Sequence, residues 1–216
     1  MKFLFDAFAD NQNKSSVSAK FREKRFALFV KTLSVKSSDR ILDVGGAEST
    51  WINSGLEDGV TFLNIRFEKR NPMFSYICAD ACNMHMIKDN EFDVIFSNSV
   101  IEHVGNFERQ SQFAKEVIRV GKSHWIQTPY KHFPIEPHFV FPLFQYFPKK
   151  IQNVVALKWP YSHYLMESTR KEEILDELNR LKLLSVDDMK KLFKDSRIIY
   201  EKYFGLIKSI IAVKSA

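Results

Sequence analysis

Five short apolar runs between residues 41 and 128, set too far apart for tight hairpins, constrain this chain more than any other feature. They are Ile41-Leu42-Asp43-Val44, Val60-Thr61-Phe62-Leu63-Asn64-Ile65, Phe74-Ser75-Tyr76-Ile77-Cys78-Ala79, Phe92-Asp93-Val94-Ile95-Phe96-Ser97 and His124-Trp125-Ile126-Gln127-Thr128. Runs of this length, enriched in β-branched and aromatic residues, read as buried strands. The stretches between them are helix-sized. In one, Asn106 can cap a helix on which Phe107, Ala114, Val117 and Ile118 share a face, and Gly121 stands where that helix should end. Strands joined by such segments need crossover connections, so the expected fold is α/β, a mainly parallel sheet with helices on both faces. Near the end of the chain, Arg197-Ile198-Ile199-Tyr200 and Ile207-Lys208-Ser209-Ile210-Ile211-Ala212-Val213 flank Gly205, which suits an antiparallel pair.

At 216 residues, with 45% apolar and 27% charged residues, the chain fits one globular domain with a sizeable core. No run approaches the roughly 18 apolar residues of a membrane span, and the opening residues do not read as a secretory signal. Cys78 and Cys82 have no second pair to complete a zinc site. A reduced, cytoplasmic protein is expected. The net charge of +6 is concentrated at the start: residues 1–40 hold nine Lys/Arg against four Asp/Glu, and the remainder holds 23 against 22. Asp10-Asn11-Gln12-Asn13-Lys14-Ser15-Ser16 is polar and aperiodic, so residues 1–15 are expected to be poorly ordered. Ser18–Leu33 interleaves Phe21, Phe26, Leu28, Phe29 and Leu33 with cations in a broad amphipathic helix. Residues 1–36 thus form a basic leading segment, and 37–216 the main domain. Such an arm can contact nucleic acid or an anionic membrane surface, or be a solvated helix face.

Residues 129–164 are of a different character. They hold six of the seven prolines and ten aromatic residues, which exclude long helices and central strands. A lid-like insertion over the sheet edge is expected, its aromatics Phe133, Phe139, Phe141, Phe144, Tyr146 and Phe147 lining a pocket or packing onto the sheet. Thr169-Arg170-Lys171-Glu172 has the pattern of a capping box, and Ser185-Val186-Asp187-Asp188 opens a further short helix.

The chemistry-bearing residues gather at strand ends. Asp43-Val44-Gly45-Gly46 closes the first strand with small residues, where a loop backbone can approach a ligand. Asp80-Ala81 follows the third, and Ser97-Asn98-Ser99 ends the fourth, ahead of Val100-Ile101-Glu102-His103-Val104. From about Arg40 to Thr128 this order resembles the class I S-adenosylmethionine-dependent methyltransferases. The resemblance implies a Rossmann-like, doubly wound, seven-stranded sheet whose last strand is antiparallel. It also implies S-adenosylmethionine as cofactor, with Asp43, Gly45, Gly46, Asn64, Asp80, Ala81 and Ser97 as its binding residues. Thr128-Pro129-Tyr130 and Phe133-Pro134-Ile135-Glu136-Pro137-His138 are similar to a subgroup with a Pro-rich segment after strand five. Two departures stand out: Ala47 and Ser49 occupy later glycine positions, and Asn64 replaces the acidic residue that would grip the ribose. A dinucleotide dehydrogenase fits less well, because G-x-G-x-x-G is absent.

Methyl transfer to a hydroxyl needs alignment and a proton acceptor, for which His103, His132, Glu136 and His138 are the candidates. Glu102-His103 is similar to a half-site of metal-assisted hydroxyl methyltransferases, but Ser99 stands where a further carboxylate would, so no metal is expected. Ser97-Asn98-Ser99-Val100 lacks the Asn/Asp-Pro-Pro-aromatic turn of many amino-group methyltransferases. By analogy, a small-molecule, sugar or lipid-linked acceptor methylated at oxygen is expected. An RNA methyltransferase using the basic helix and a non-catalytic nucleoside- or partner-binding member of the fold are the alternatives.

Overall fold

A computed structural model describes residues 17–136, 138–139, 141–159 and 170–216. The expectations for residues 1–15 and for Thr169 lie outside the described residues. The chain opens with helix α1 (Val17–Leu33) and strand β1 (Ile41–Val44), followed by β2 (Val60–Asn64), β3 (Ser75–Cys78) and β4 (Phe92–Asn98). Helix α2 (Phe107–Val120) leads straight into β5 (Gly121–Pro129). A small hairpin, β6 (Ile135–Glu136) with β7 (Phe141–Pro142), precedes α3 (Lys149–Lys158), α4 (Lys171–Arg180) and α5 (Val186–Leu192). Strands β8 (Arg197–Tyr203) and β9 (Leu206–Lys214) close the fold.

The main sheet has seven strands in the order β3-β2-β1-β4-β5-β9-β8. Strands β1 to β5 are parallel, and β9 runs antiparallel to both β5 and β8. This is the Rossmann-like sheet the resemblance implies, and its order reverses between β1 and β4. In open α/β sheets the ligand crevice lies at that switch point, beyond the carboxyl ends of the strands.

Alternation along the strands sorts the core onto two faces. Ile41, Phe62, Val94, Phe96, Trp125 and Ile211 point to the face that α1 covers with Phe29 and that Trp51 completes. Leu42, Leu63, Ile95, Ile126 and Ala212 point to the other, against Phe113 and Val117 of α2 and Met189 and Phe193 near α5. The α1 face is dense in rings: Phe29 and Phe96 stand 4.6 Å apart, and Trp51 meets Phe96 edge-on at 5.3 Å. Such pairs contribute about 0.5–1.5 kcal/mol each beyond the area they bury. Helix α1 is also tied to the far sheet edge by Arg25, which donates to both carboxylate oxygens of Glu201 on β8 at 3.0 and 2.8 Å. Its Lys20, Arg22, Lys24 and Lys31 face solvent.

Two expectations change in detail. Between β1 and β2 the chain makes short 3₁₀ turns (Glu48–Thr50 and Glu57–Gly59) in place of a crossover α-helix, and the β2–β3 and β3–β4 connections hold turns and no helix. Positive φ at Asn53 and Gly55 breaks any longer helix after β1. The lid does contain a ten-residue helix, α3, because Pro148 sits at its N-cap and residues 149–158 are free of proline. The lid's aromatics chiefly pack on one another: Phe139 and Phe144 stack at 4.0 Å over Ala156, Ile174 and Leu178. Two caps are as expected. Asn106 accepts from the Arg109 N–H, and Ser185 forms a reciprocal capping box with Asp188.

Candidate active site

The crevice is built where β1 and β4 part. Gly45 has φ +74°, and its N–H donates to the Leu63 carbonyl at 2.8 Å. A Cβ at Gly45 would come within 2.5 Å of the Val100 side chain, so the loop after β1 rests directly on the loop after β4. At Gly46 a Cβ would fall 1.8 Å from the Asp43 carboxylate. Both positions therefore require glycine, the first for conformation as well as space.

The expected cofactor residues divide into two groups. Asp43 and Ser97 are buried and hold the crevice in shape: Asp43 accepts from Trp51 Nε1 at 2.7 Å, and Ser97 Oγ donates to the Val44 carbonyl at 2.9 Å. Burial pushes the Asp43 carboxyl up to about 7, partly offset by the Trp51 hydrogen bond. Ala81 belongs to the core. Gly46, Asn64 and Asp80 are partly exposed at the carboxyl ends of β1, β2 and β3. Asn64 Nδ2 donates to the Gly46 carbonyl at 3.2 Å. Asp80 accepts from the Cys82 N–H at 2.9 Å and from Arg109 Nη2 at 2.6 Å. Desolvation works against its charge, but the Arg109 and Cys82 hydrogen bonds outweigh it and hold the carboxyl below its ordinary value. Next to Asn64, Ile65 is 75% exposed at the end of β2. An adenosine fits this donor set: an exposed apolar surface, an amide for hydroxyls and a carboxylate that can accept from an amino group.

Sequence reasoning missed Arg109, one turn beyond the Asn106 cap and partner to Asp80. It also missed Glu48, whose carboxylate binds the Tyr76 hydroxyl and the Asn71 N–H. No sequence signal announces either contact, since both join residues more than 20 positions apart.

The candidate bases separate. His132 is exposed and pairs with the Tyr146 hydroxyl at 2.5 Å, on the lid's outside. His103, His138 and Glu136 come together. His138 Nδ1 lies 2.6 Å from Glu136 Oε1, and His138 Nε2 lies 3.1 Å from His103 Nε2. Glu136 is buried and takes the Phe139 N–H on its other oxygen at 2.9 Å. Glu102 joins them from the loop after β4. It is fully buried, its Oε2 accepts from Thr128 Oγ1 at 3.0 Å, and its Oε1 has no hydrogen-bond partner. Burial raises the Glu102 carboxyl to about 7, against the pull of His138. The cluster is assembled from two separate loops. Glu102 and His103 follow β4, two and three residues beyond the Val100 that supports Gly45, while Glu136 and His138 descend from the lid hairpin. Ser99 is exposed, with its N–H and hydroxyl both bonded to Gln127.

Among known proteins, residues 57–124 match a family model described as a methyltransferase domain. No curated protein matches the chain. Several solved structures share the fold. A Rhodobacter sphaeroides protein described as a Zn-dependent alcohol dehydrogenase superposes with a TM-score of 0.57 at 10% identity, over 89% of each chain. An S-adenosylmethionine-dependent methyltransferase of Archaeoglobus fulgidus gives 0.54 at 14%, over 89% of this chain and 94% of that one. The magnesium protoporphyrin IX methyltransferase of Synechocystis, with S-adenosylhomocysteine bound, gives 0.51 at 12%, over 91% and 83%.

Proposed function

On the premise that this chain is a class I S-adenosylmethionine-dependent methyltransferase, by its domain segment and its fold, we propose that it methylates an oxygen of a small-molecule, sugar or lipid-linked acceptor. S-adenosylmethionine, when bound, supplies an electrophilic methyl group. The chain holds it with the backbone of Gly45 and Gly46, the Asn64 amide and the Asp80 carboxylate, and Ile65 offers an apolar face to the base. Asn64 grips a ribose less strongly than a carboxylate would, because its hydrogen bonds lack charge assistance.

The observation that carries the acceptor assignment is the Glu136–His138–His103 chain beside buried Glu102, one loop away from Gly45. Glu136 fixes the ring of His138, so that its Nε2 faces the cluster. An acceptor hydroxyl placed there is oriented by the imidazoles and releases its proton toward them. Alignment supplies most of the rate: effective molarities of order 10⁵ M follow from holding two reactants in line. The lid, anchored on its own Phe139–Phe144 core, keeps water from the reacting atoms. The loop after β4 also lacks the Pro-Pro-aromatic turn whose carbonyls would orient an amino group.

Calorimetry with S-adenosylmethionine and S-adenosylhomocysteine, with NAD as control, tests the premise. Micromolar binding that is lost in Asp80→Ala is expected. A folded wild-type protein that binds neither would overturn the reading. Transfer of a labelled methyl group to a panel of hydroxylated acceptors tests the second half. His138→Ala should lower kcat at least a hundredfold while S-adenosylhomocysteine affinity stays the same. Methyl label recovered only on nitrogen would reject the oxygen assignment.

A further inference from the structure

We propose that Glu102, His103 and His138 hold one divalent first-row transition ion, which binds the acceptor oxygen at its open positions. The inference deepens the proposed function and rests on it for the acceptor, though not for the ion.

One ligand atom from each of the three residues lies within 4.8 Å of the other two. The His103 and His138 Nε2 atoms are 3.1 Å apart. Two imidazole nitrogens each about 2.1 Å from a common ion stand about 3.0–3.4 Å from one another, from octahedral to tetrahedral angles. Two facing ring nitrogens repel unless a proton or a cation lies between them.

The ring of His138 is held from behind by a carboxylate. Its Nδ1 is 2.6 Å from Glu136 Oε1, and that carboxylate is itself held by the Phe139 N–H at 2.9 Å. The N–H of His138 is thereby fixed on the Glu136 side, which leaves the Nε2 lone pair pointing at the cluster. A carboxylate behind a histidine in this way is the usual support of a metal-bound imidazole.

Glu102 and Glu136 are both buried, and among the described residues neither is paired with a lysine or arginine. Glu102 Oε2 is occupied by Thr128, while Oε1 has no hydrogen bond. Two carboxylates withdrawn from water with so little positive charge nearby are costly, and a divalent ion supplies that charge. Two imidazoles and a carboxylate suit zinc, iron, cobalt or manganese, and a three-residue set leaves coordination positions free. With both Nε2 atoms on the ion they no longer take the proton. A hydroxyl on such an ion has a lowered pKa and gives its proton to solvent as the acceptor binds, before the lid excludes water. There is no change in oxidation state, and the oxygen keeps its electron pair for the methyl carbon. His138 on the lid supplies the third ligand. Ser99, where a further carboxylate would stand, bonds Gln127 and is not part of this set.

The test uses the full-length protein, stripped with chelator and titrated with Co²⁺, whose visible absorption reports imidazole ligation. One saturable equivalent, displaced by Zn²⁺, is expected. Affinity should fall at least tenfold in His138→Gln and Glu102→Gln and about 10–100-fold in Glu136→Gln, and it should be unchanged in His132→Gln. A wild-type protein, folded by circular dichroism, that takes up no stoichiometric Co²⁺ would overturn the proposal and leave a shared proton between the imidazoles. Full affinity in a folded His138→Gln would equally overturn it, by placing the ion elsewhere. Should Glu102→Gln not fold, His138→Gln and Glu136→Gln decide. S-adenosylhomocysteine calorimetry on the same stripped protein separates the two readings. Nucleoside binding without cobalt binding rejects only the ion, and cobalt binding without nucleoside binding rejects only the cofactor premise.

Discussion

His124 shows how far a single buried side chain can depart from its solution chemistry. It stands on β5 under Phe193, its Nε2 is 2.8 Å from Ser196 Oγ, and burial, with Lys214 nearby, lowers its pKa to about 4. In the unfolded chain the same imidazole takes its proton near 6.5. Between pH 6.5 and 4 the unfolded state therefore binds a proton that the folded state refuses. Stability is full above 6.5 and is lost as pH falls through that window, by an amount on the order of 3 kcal/mol. Urea unfolding of His124→Gln across pH 4–7 should lose that part of the slope; an unchanged slope would place the titration elsewhere. Gly46 makes a second case at this scale. A methyl group there meets the buried Asp43 carboxylate and must push it away from Trp51. Gly46→Ala should cost about 1–3 kcal/mol in urea unfolding and weaken S-adenosylhomocysteine binding as well. The same alanine at Gly55, where nothing lies within 4 Å, should strain only the backbone and leave the nucleoside affinity alone.

At the scale of elements, the lid is a separate small core joined to the main one. Phe139 and Phe144 stack over Ala156 of α3 and Ile174 and Leu178 of α4, with no member shared with the two clusters of the sheet. Removing one ring should release this core without melting the sheet. Phe144→Ala is expected to cost about 3–5 kcal/mol locally. Hydrogen exchange should then show α3 and α4 losing protection, while β1, β4 and β5 keep theirs. Because His138 and Glu136 descend from the same lid, the substitution should also lower methyl transfer. Uniform loss of protection across the sheet would show that the lid has no independent core.

At the scale of the whole molecule, the bond between Arg25 and Glu201 joins the first described helix to the last strand pair. Arg25 is buried and Glu201 nearly so, and removing Arg25 leaves only the partly buried Lys208 to balance that carboxylate. Arg25→Met should cost about 3–5 kcal/mol, and adding Glu201→Leu should recover most of it, as a double-mutant cycle in denaturant would show. Additive losses would mean that the pair acts only by packing. Much of this molecule was legible in its residues. The five apolar runs, the Asn106 cap, the Ser185 capping box and the Gly205 turn appear where local pattern puts them, because strands, caps and turns are decided by neighbours in sequence. Gly45 and Gly46 were legible for the same reason, since a strand ending in small residues marks a place of close approach. The missing crossover helix after β1 was not legible, because helix-sized length carries no information about whether tertiary packing will hold a helix there. Nor was the meeting of Glu102 and His103 with Glu136 and His138, separated by more than 30 residues and brought together only when the lid hairpin folds over the end of β4. Local pattern is enough to set the alternation of a parallel sheet and the small residues at its switch point. Which carboxylates and imidazoles share one space depends on the packed fold, because the path of their loops is set by the core beneath them.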